Sequence, residues 1–178
     1  TDSYSWQWTR QAGSSGLDDG QAVATDAIGN IYQVGTFRAT ARFDSATVFT
    51  IGTSSAYLAK YNLQGDLQWV YPVGVVANGI SLGLGVAIDT AGNPYVTGSF
   101  SGTLYFNTTS GSLTAVATST KTFVAKLDSQ GRIVWAQWNE GTGLTKSFNL
   151  AVDAAGNSYV TGYYAGAPSF GSQTAVNR

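Results

Sequence analysis

Three aspartates, Asp26, Asp89 and Asp153, each open the same short string, D-x-x-G-N. Their type and recurrence suggest oxygen ligation of calcium, an ion that takes about six to eight oxygen ligands. One carboxylate per unit of about 63 residues is too few for such a shell. The structural alternative needs no ion. An Asp side chain can accept the backbone N–H groups of the turn it opens, and Gly and Asn both tolerate positive φ. The sets Asp26, Gly29, Asn30, then Asp89, Gly92, Asn93, then Asp153, Gly156, Asn157 are therefore assigned to tight turns.

Other chemistry is scarce. The chain has no His and no Cys, which removes Ser-His-Asp and Cys-His catalysis and thiolate or His-rich metal sites. Glu140 is the only glutamate. A glycosidase needs two carboxylates roughly 5–10 Å apart in a cleft, and the adjacent pair Asp18-Asp19 sits in the loop-like SGLDDGQ, where a solvated turn is expected. Gly83-Leu84-Gly85 lacks the helix and Lys that a phosphate loop requires. No catalytic residue, metal ligand or cofactor is assigned, and the ligand-binding residues are left open.

Two kinds of surface chemistry remain. Asp44-Ser45-Ala46 and Asp89-Thr90-Ala91 resemble the D-S/T-small signal for O-glycosylation on exported proteins of some gliding and gut bacteria, which makes Ser45 and Thr90 candidate sites. Asn107-Thr108-Thr109 matches an N-glycosylation acceptor, relevant only where the transferase exists. Tyr71, Trp138, Tyr163 and the Trp6-x-Trp8 pair partly escape the repeat register. They suit either sugar-stacking platforms or blade packing.

The elements that position these residues follow from an internal repeat. ATDAIGNIYQVGTF, AIDTAGNPYVTGSF and AVDAAGNSYVTGYY begin at Ala24, Ala87 and Ala151. From each Asp, Gly recurs at +3 and +9, Asn at +4, Tyr at +6 and an aromatic at +11, followed by Phe43, Phe106 and Phe170 at +17. A second block, AYLAKYNLQGDLQW ending at Trp69, returns as TFVAKLDSQGRIVW ending at Trp135. The first two copies of the first block lie 63 residues apart and the two second blocks 66, so unit two carries three extra residues, assigned to a loop after Phe106. Trp8, 18 residues before Asp26 as Trp135 is before Asp153, marks the last strand of a preceding unit.

Short runs rich in Val, Ile, Tyr and Phe, bounded by turns, read as strands. In the first unit they are Gln21–Asp26, Ile31–Phe37, Thr47–Ile51, Tyr57–Asn62 and Leu67–Tyr71. No helical period occurs. Four to five strands per repeat make the blade of a β-propeller, so the fold class expected is all-β, about three blades of an incomplete ring. The expected organisation is residues 1–15 as the end of a preceding blade, 16–74 as repeat one, 75–140 as repeat two and 141–178 as a partial repeat three. Arg10 to Gly16 has no close match elsewhere in the chain.

With D-x-x-G-N-x-Y-x-x-G-x-F followed by F-V-A-K-x-D-x-x-G-x-x-x-W, the chain resembles the SBBP type of bacterial β-propeller repeat. D-x-x-G-N-x-Y alone is also similar to the NHL propeller repeat, and the Gly-aromatic pairs after Gly35, Gly98 and Gly162 favour SBBP. The resemblance implies a bacterial protein, exported and extracellular or displayed on the cell surface.

The bulk numbers agree with such a role. Net charge is −1 and charged residues are 11% of 178, with no basic cluster, so nucleic acid is not expected as a partner. No apolar run reaches the roughly 20 residues of a membrane-spanning helix, and the opening TDSYSW is not laid out as a signal peptide. The function expected is a non-enzymatic scaffold, adhesin or interaction module. Its partners would be further blades of the same polypeptide or another protein. The alternatives are a lectin-like module for surface glycans and the non-catalytic part of a larger propeller enzyme.

If the D-S/T-small triplets are used, intact-mass measurement on natively purified protein will show added hexose-type mass that maps to Ser45 or Thr90. A bare peptide mass excludes both.

Overall fold

The structure is a computed structural model, and it describes residues 5–50 and 52–175. These residues form strands and turns and no helix. The first unit runs β1 (Ala12–Gly13), β2 (Asp19–Thr25), β3 (Ile31–Phe37), β4 (Thr40–Phe43), β5 (Ala46–Phe49), β6 (Ser55–Tyr61) and β7 (Leu67–Pro72). Strands β2-β3-β6-β7 make an antiparallel four-stranded sheet in that order. The second unit repeats it with β8 (Val75–Ile88), β9 (Pro94–Thr108), β10 (Gly111–Leu127) and β11 (Ile133–Trp138). The third contributes β12 (Glu140–Val152), β13 (Ser158–Phe170) and β14 (Gln173–Thr174). The sheets do not close on themselves, and the architecture is all-β, an incomplete set of propeller blades.

Each unit also folds back on itself. Tyr95 and Thr108 would lie roughly 44 Å apart in a straight strand. Yet Thr108 bridges to Ile133, Ile133 pairs with Leu127, and the neighbouring Lys126 pairs with Tyr95. Strands β9 and β10 must therefore reverse, and their pairing skips between Ala117 and Lys121. The hinge lies thirteen residues after each unit's Asp, at Ala39, Gly102 and Gly166. All three have positive φ, 55°, 84° and 88°. Beyond it the chain forms a short flap: β1-β4-β5 in unit one, β12-β13-β14 around Phe170 in unit three.

The flap buries the +17 aromatic against the blade it folds over. Phe43 and Val48 pack with Tyr57, Ala59, Tyr61 and Val70. In unit two, Leu104 and Phe106 join Phe123, Ala125 and Leu127 within the larger core. A fully buried ring of this kind contributes roughly 1.5–3 kcal/mol through apolar area removed from water. The opposite face of blade one, with Tyr32, Val34 and Leu58, enters the same core as Val86 and Val96 of unit two.

Two expectations need correction. The strand expected at Thr47–Ile51 is Ala46–Phe49 and belongs to the flap, not to the blade; Ile51 lies outside the described residues. The extra residues after Phe106 do not make a loop but lengthen the flap hairpin: Phe106 pairs with Leu113, whereas Phe43 pairs directly with Ala46. The unmatched Arg10 to Gly16 stretch supplies β1, which joins its flap as the start of β8 joins the next one. A two-residue strand leaves too little pattern for sequence comparison to detect.

The two blade junctions differ in polarity. Between units two and three, the buried Thr122 N–H donates to Asn139 Oδ1 and Thr145 Oγ1, both 2.8 Å away. The positions equivalent to Thr122 and Asn139 one unit earlier are Ala56 and Val73, both in the apolar core. Ser81 stands where Thr145 does, and its buried Oγ has no hydrogen-bond partner among the described residues. The missing partner is explained by Val73.

Ala39 is exposed and holds a left-handed conformation that costs an L-residue roughly 1–2 kcal/mol. Ala39→Gly should therefore stabilise the chain by about 0.5–1 kcal/mol after the unfolded-state entropy is offset. Gly102→Ala should destabilise it, because a Cβ there would meet Asn78 O at 2.6 Å. Urea unfolding midpoints check both.

Candidate interaction surface

The D-x-x-G-N turns are built alike. Asp26 Oδ1 accepts the N–H groups of Ile28 (3.1 Å) and Asn30 (2.9 Å), and Oδ2 accepts the Asn30 amide at 2.7 Å. Asp89 takes Ala91, Asn93 and the Asn93 amide in the same way, and Asp153 takes Ala155, Asn157 and the Asn157 amide. Gly29, Gly92 and Gly156 have φ of 86°, 81° and 84°, which lets the chain reverse without steric cost. At Asp26 and Asp89 partial burial opposes ionisation, but the hydrogen bonds from Asn30 and Asn93 outweigh it and hold both carboxyls below the usual range. Asp153 is lowered by the Asn157 side chain and backbone first. The carboxylate oxygens are occupied by the turn, and no group of three acidic, His or Cys side chains that could hold a metal occurs among the described residues.

Successive units are tied together at these turns. The Tyr32 hydroxyl lies 3.3 Å from the carbonyl oxygen of Gly92, and the Tyr95 hydroxyl 3.3 Å from that of Gly156. The tryptophans that end the second block lie beside these tyrosines edge-on, Trp69 at 6.0 Å from Tyr32 and Trp135 at 5.9 Å from Tyr95. Trp69 Nε1 donates to Ser129 O at 3.3 Å, and Trp8 Nε1 donates to Leu63 O at 3.1 Å, each reaching the turn before the next unit's last strand. Lys60 and Lys126 sit over the rings of Tyr32 and Tyr95, and Lys126 Nζ also meets Asp89 Oδ2 at 3.0 Å. The hydrogen bond with Tyr95, followed by that with Asp89, raises the Lys126 ammonium above its ordinary value despite partial burial. Recurrence of these Tyr and Trp in the repeat does not by itself reveal their polar reach into the next unit. Gly at +3 and Tyr at +6 recur together, but nothing in that spacing pairs the Tyr of one unit with the Gly of the next.

Unit three leaves this machinery open. Tyr32 and Tyr95 are 0% and 2% exposed, whereas Tyr159 is 59% exposed and its hydroxyl donates to its own Asp153 at 3.0 Å. Phe148 and Tyr163 are also exposed and pack ring to ring at 5.7 Å. Between units two and three lies a groove of about 560 Å³, lined by Phe123, Trp138, Val160, Gly162, Tyr164 and Phe170 among others.

The other sequence candidates are dispersed. Ser45 is exposed at the tip of the first flap, and Thr90 is exposed inside the second D-x-x-G-N turn. Asp18 and Asp19 are not a free solvated pair: Asp18 accepts Ser14 N–H, Ser14 Oγ–H and Arg38 N–H, and Asp19 accepts Thr36 N–H. They pin the loop and the start of β2. Trp6 is 93% exposed; Trp8 packs on Tyr61, Trp138 on Phe106, and Tyr71 stacks on Trp69 over Gly131. No site brings Ser45, Thr90 and these aromatics together.

No family model matches the chain. It is similar to an uncharacterized WD repeat-containing protein of Acanthamoeba polyphaga mimivirus, at 25% identity over 187 aligned residues. The alignment covers 89% of this chain and 13% of that protein, so the chain spans a small part of its relative's length. With the blades already described, that likeness supports a propeller-like repeat.

The Tyr95 hydroxyl reaches across to Gly156, whereas the Tyr159 hydroxyl stays within its own turn. Tyr95→Phe should therefore cost about 1 kcal/mol of stability in urea unfolding. Tyr159→Phe should cost clearly less, because water can replace its exposed partner.

Proposed function

We propose that the chain is a non-catalytic, propeller-type interaction module whose working surface is the uncovered face of its third unit. The observation that carries this reading is the contrast between Tyr159 and its buried counterparts Tyr32 and Tyr95. The same residue type, in the same turn framework, is covered twice by a following blade and then left to solvent, as are Phe148 and Tyr163. Exposed rings that pack on one another, as Phe148 and Tyr163 do, suit a contact surface. The likeness to a WD repeat-containing protein supports an interaction role. The absence of His and Cys, with one Glu in the chain, supports a role without catalysis.

The finer assignment rests on the sequence resemblance. The SBBP-type pattern supports an exported bacterial protein that works outside the cell or on its surface as scaffold or adhesin, with further blades or a protein as partner. A lectin-like reading draws on the stacked Trp69–Tyr71 pair, whose Tyr71 edge is exposed. The two readings use different surfaces.

Multi-angle light scattering on the 178-residue chain should show association that grows with concentration, and Phe148→Ser with Tyr163→Ser should suppress it without lowering the melting temperature. A monomer at all concentrations with a closed, compact scattering profile would overturn the reading. Glycan-array binding that disappears in Tyr71→Ala would replace it with the lectin.

A further inference from the structure

The edge of β13 and the groove beside it form a seat for one kind of strand. In unit one, Tyr57 of β6 pairs opposite Gly35 and lies between Phe37 at 6.4 Å and Phe43 at 4.8 Å. In unit two, Phe123 of β10 pairs opposite Gly98 and lies between Phe100 at 6.4 Å and Phe106 at 5.6 Å. A Cβ at this position would first meet the neighbouring strand's carbonyl, Asp19 O for Gly35 and Leu82 O for Gly98, and then the ring above it. A Cβ at Gly35 would meet the Tyr57 ring at 2.9 Å, and one at Gly98 would meet the Phe123 ring at 2.6 Å.

Unit three keeps every fixed part of this arrangement. Gly162 stands at the glycine position, and Tyr164 and Phe170 at the two flanking aromatic positions. Strand β12 covers one edge of β13, with Leu150 opposite Val160 and Lys146 opposite Tyr163. The other edge, from Ser158 to Ala165, carries no strand among the described residues. Gly162, Tyr164 and Phe170 line the groove, on the side where the third ring lies in units one and two. The groove also continues the junction already formed by Thr122, Asn139 and Thr145, so an occupant would extend an existing interface rather than create one.

We propose that this groove and edge bind a β-hairpin by strand addition, with an aromatic residue set opposite Gly162. This rests on the interaction-module reading and specifies the partner's chemistry. The register dictates the rest. Tyr57 and Phe123 are each followed by Ala two residues on, Lys three on and Trp twelve on. The Ala would face Val160, as the buried Ala125 faces Val96. The Lys would pair with Tyr159, as Lys60 does with Tyr32 and Lys126 with Tyr95, restoring a cation over that ring. Main-chain hydrogen bonds along the edge supply affinity and the alternating side chains supply selectivity.

The probe is a synthetic peptide with the sequence of residues 121–138, which contains the hairpin of β10 and β11. Added to the unmodified chain, it should bind saturably by fluorescence anisotropy and slow amide hydrogen exchange across Ser158–Ala165. Replacing the peptide's Phe123 with Ala should weaken binding by about tenfold or more, the loss expected when a buried ring is truncated. Substituting the peptide leaves the folded protein untouched, so misfolding cannot imitate the result. No binding, equal binding of the Ala peptide or a scrambled one, or protection elsewhere in the chain would overturn the proposal. A chain that self-associates through Phe148 and Tyr163 yet ignores the peptide sinks this inference alone. A monomeric chain that binds the peptide sinks the surface assignment and leaves the seat.

Discussion

Every four-stranded sheet in this protein has two faces that water cannot be left against, and a single sheet has nothing of its own to cover either. The folded-back flap covers one face and the neighbouring unit covers the other. All else in the architecture serves this requirement. The positive-φ hinge at Ala39, Gly102 and Gly166 lets the flap reverse, the +17 phenylalanine fills the space beneath it, and the Tyr and Trp of the second face reach into the next unit.

Where the next blade docks, a tyrosine hydroxyl meets the carbonyl of the next Gly at +3, and an indole N–H meets the carbonyl in the next unit's outer turn. These bonds have direction, which apolar contact lacks. They fix how far one blade slides along another. The carboxylate of each Asp holds the turn that presents the receiving carbonyl, so turn, ring and strand act as one device.

The two junctions solve the same problem with different chemistry. Val73 and Ala56 seal the first with apolar contact and leave Ser81 without a partner. Asn139, Thr122 and Thr145 seal the second with a satisfied polar network. A polar junction demands matched partners and tolerates fewer alternatives than an apolar one. It lies beside the groove, where the alignment of unit three against unit two shapes the surface left open to a partner.

The repeat, the strands flanking each turn, the glycine turns and the lack of His and Cys chemistry were all legible in the residues, because each depends on local spacing or on composition. Asp26, Asp89 and Asp153 could be assigned to turns because the bonds that close each turn run from the carboxylate to residues within four positions of it. The flap could not be read, since Ala39 looks like any exposed alanine and its backbone reversal is imposed by packing between residues such as Phe43 and Tyr57. Nor could the bond from Tyr95 to Gly156, sixty-one residues away, or the open seat at Gly162. Local residue order determines which segments turn and which extend; which faces meet, and which is left waiting, depends on the distance between segments that only the folded chain brings together.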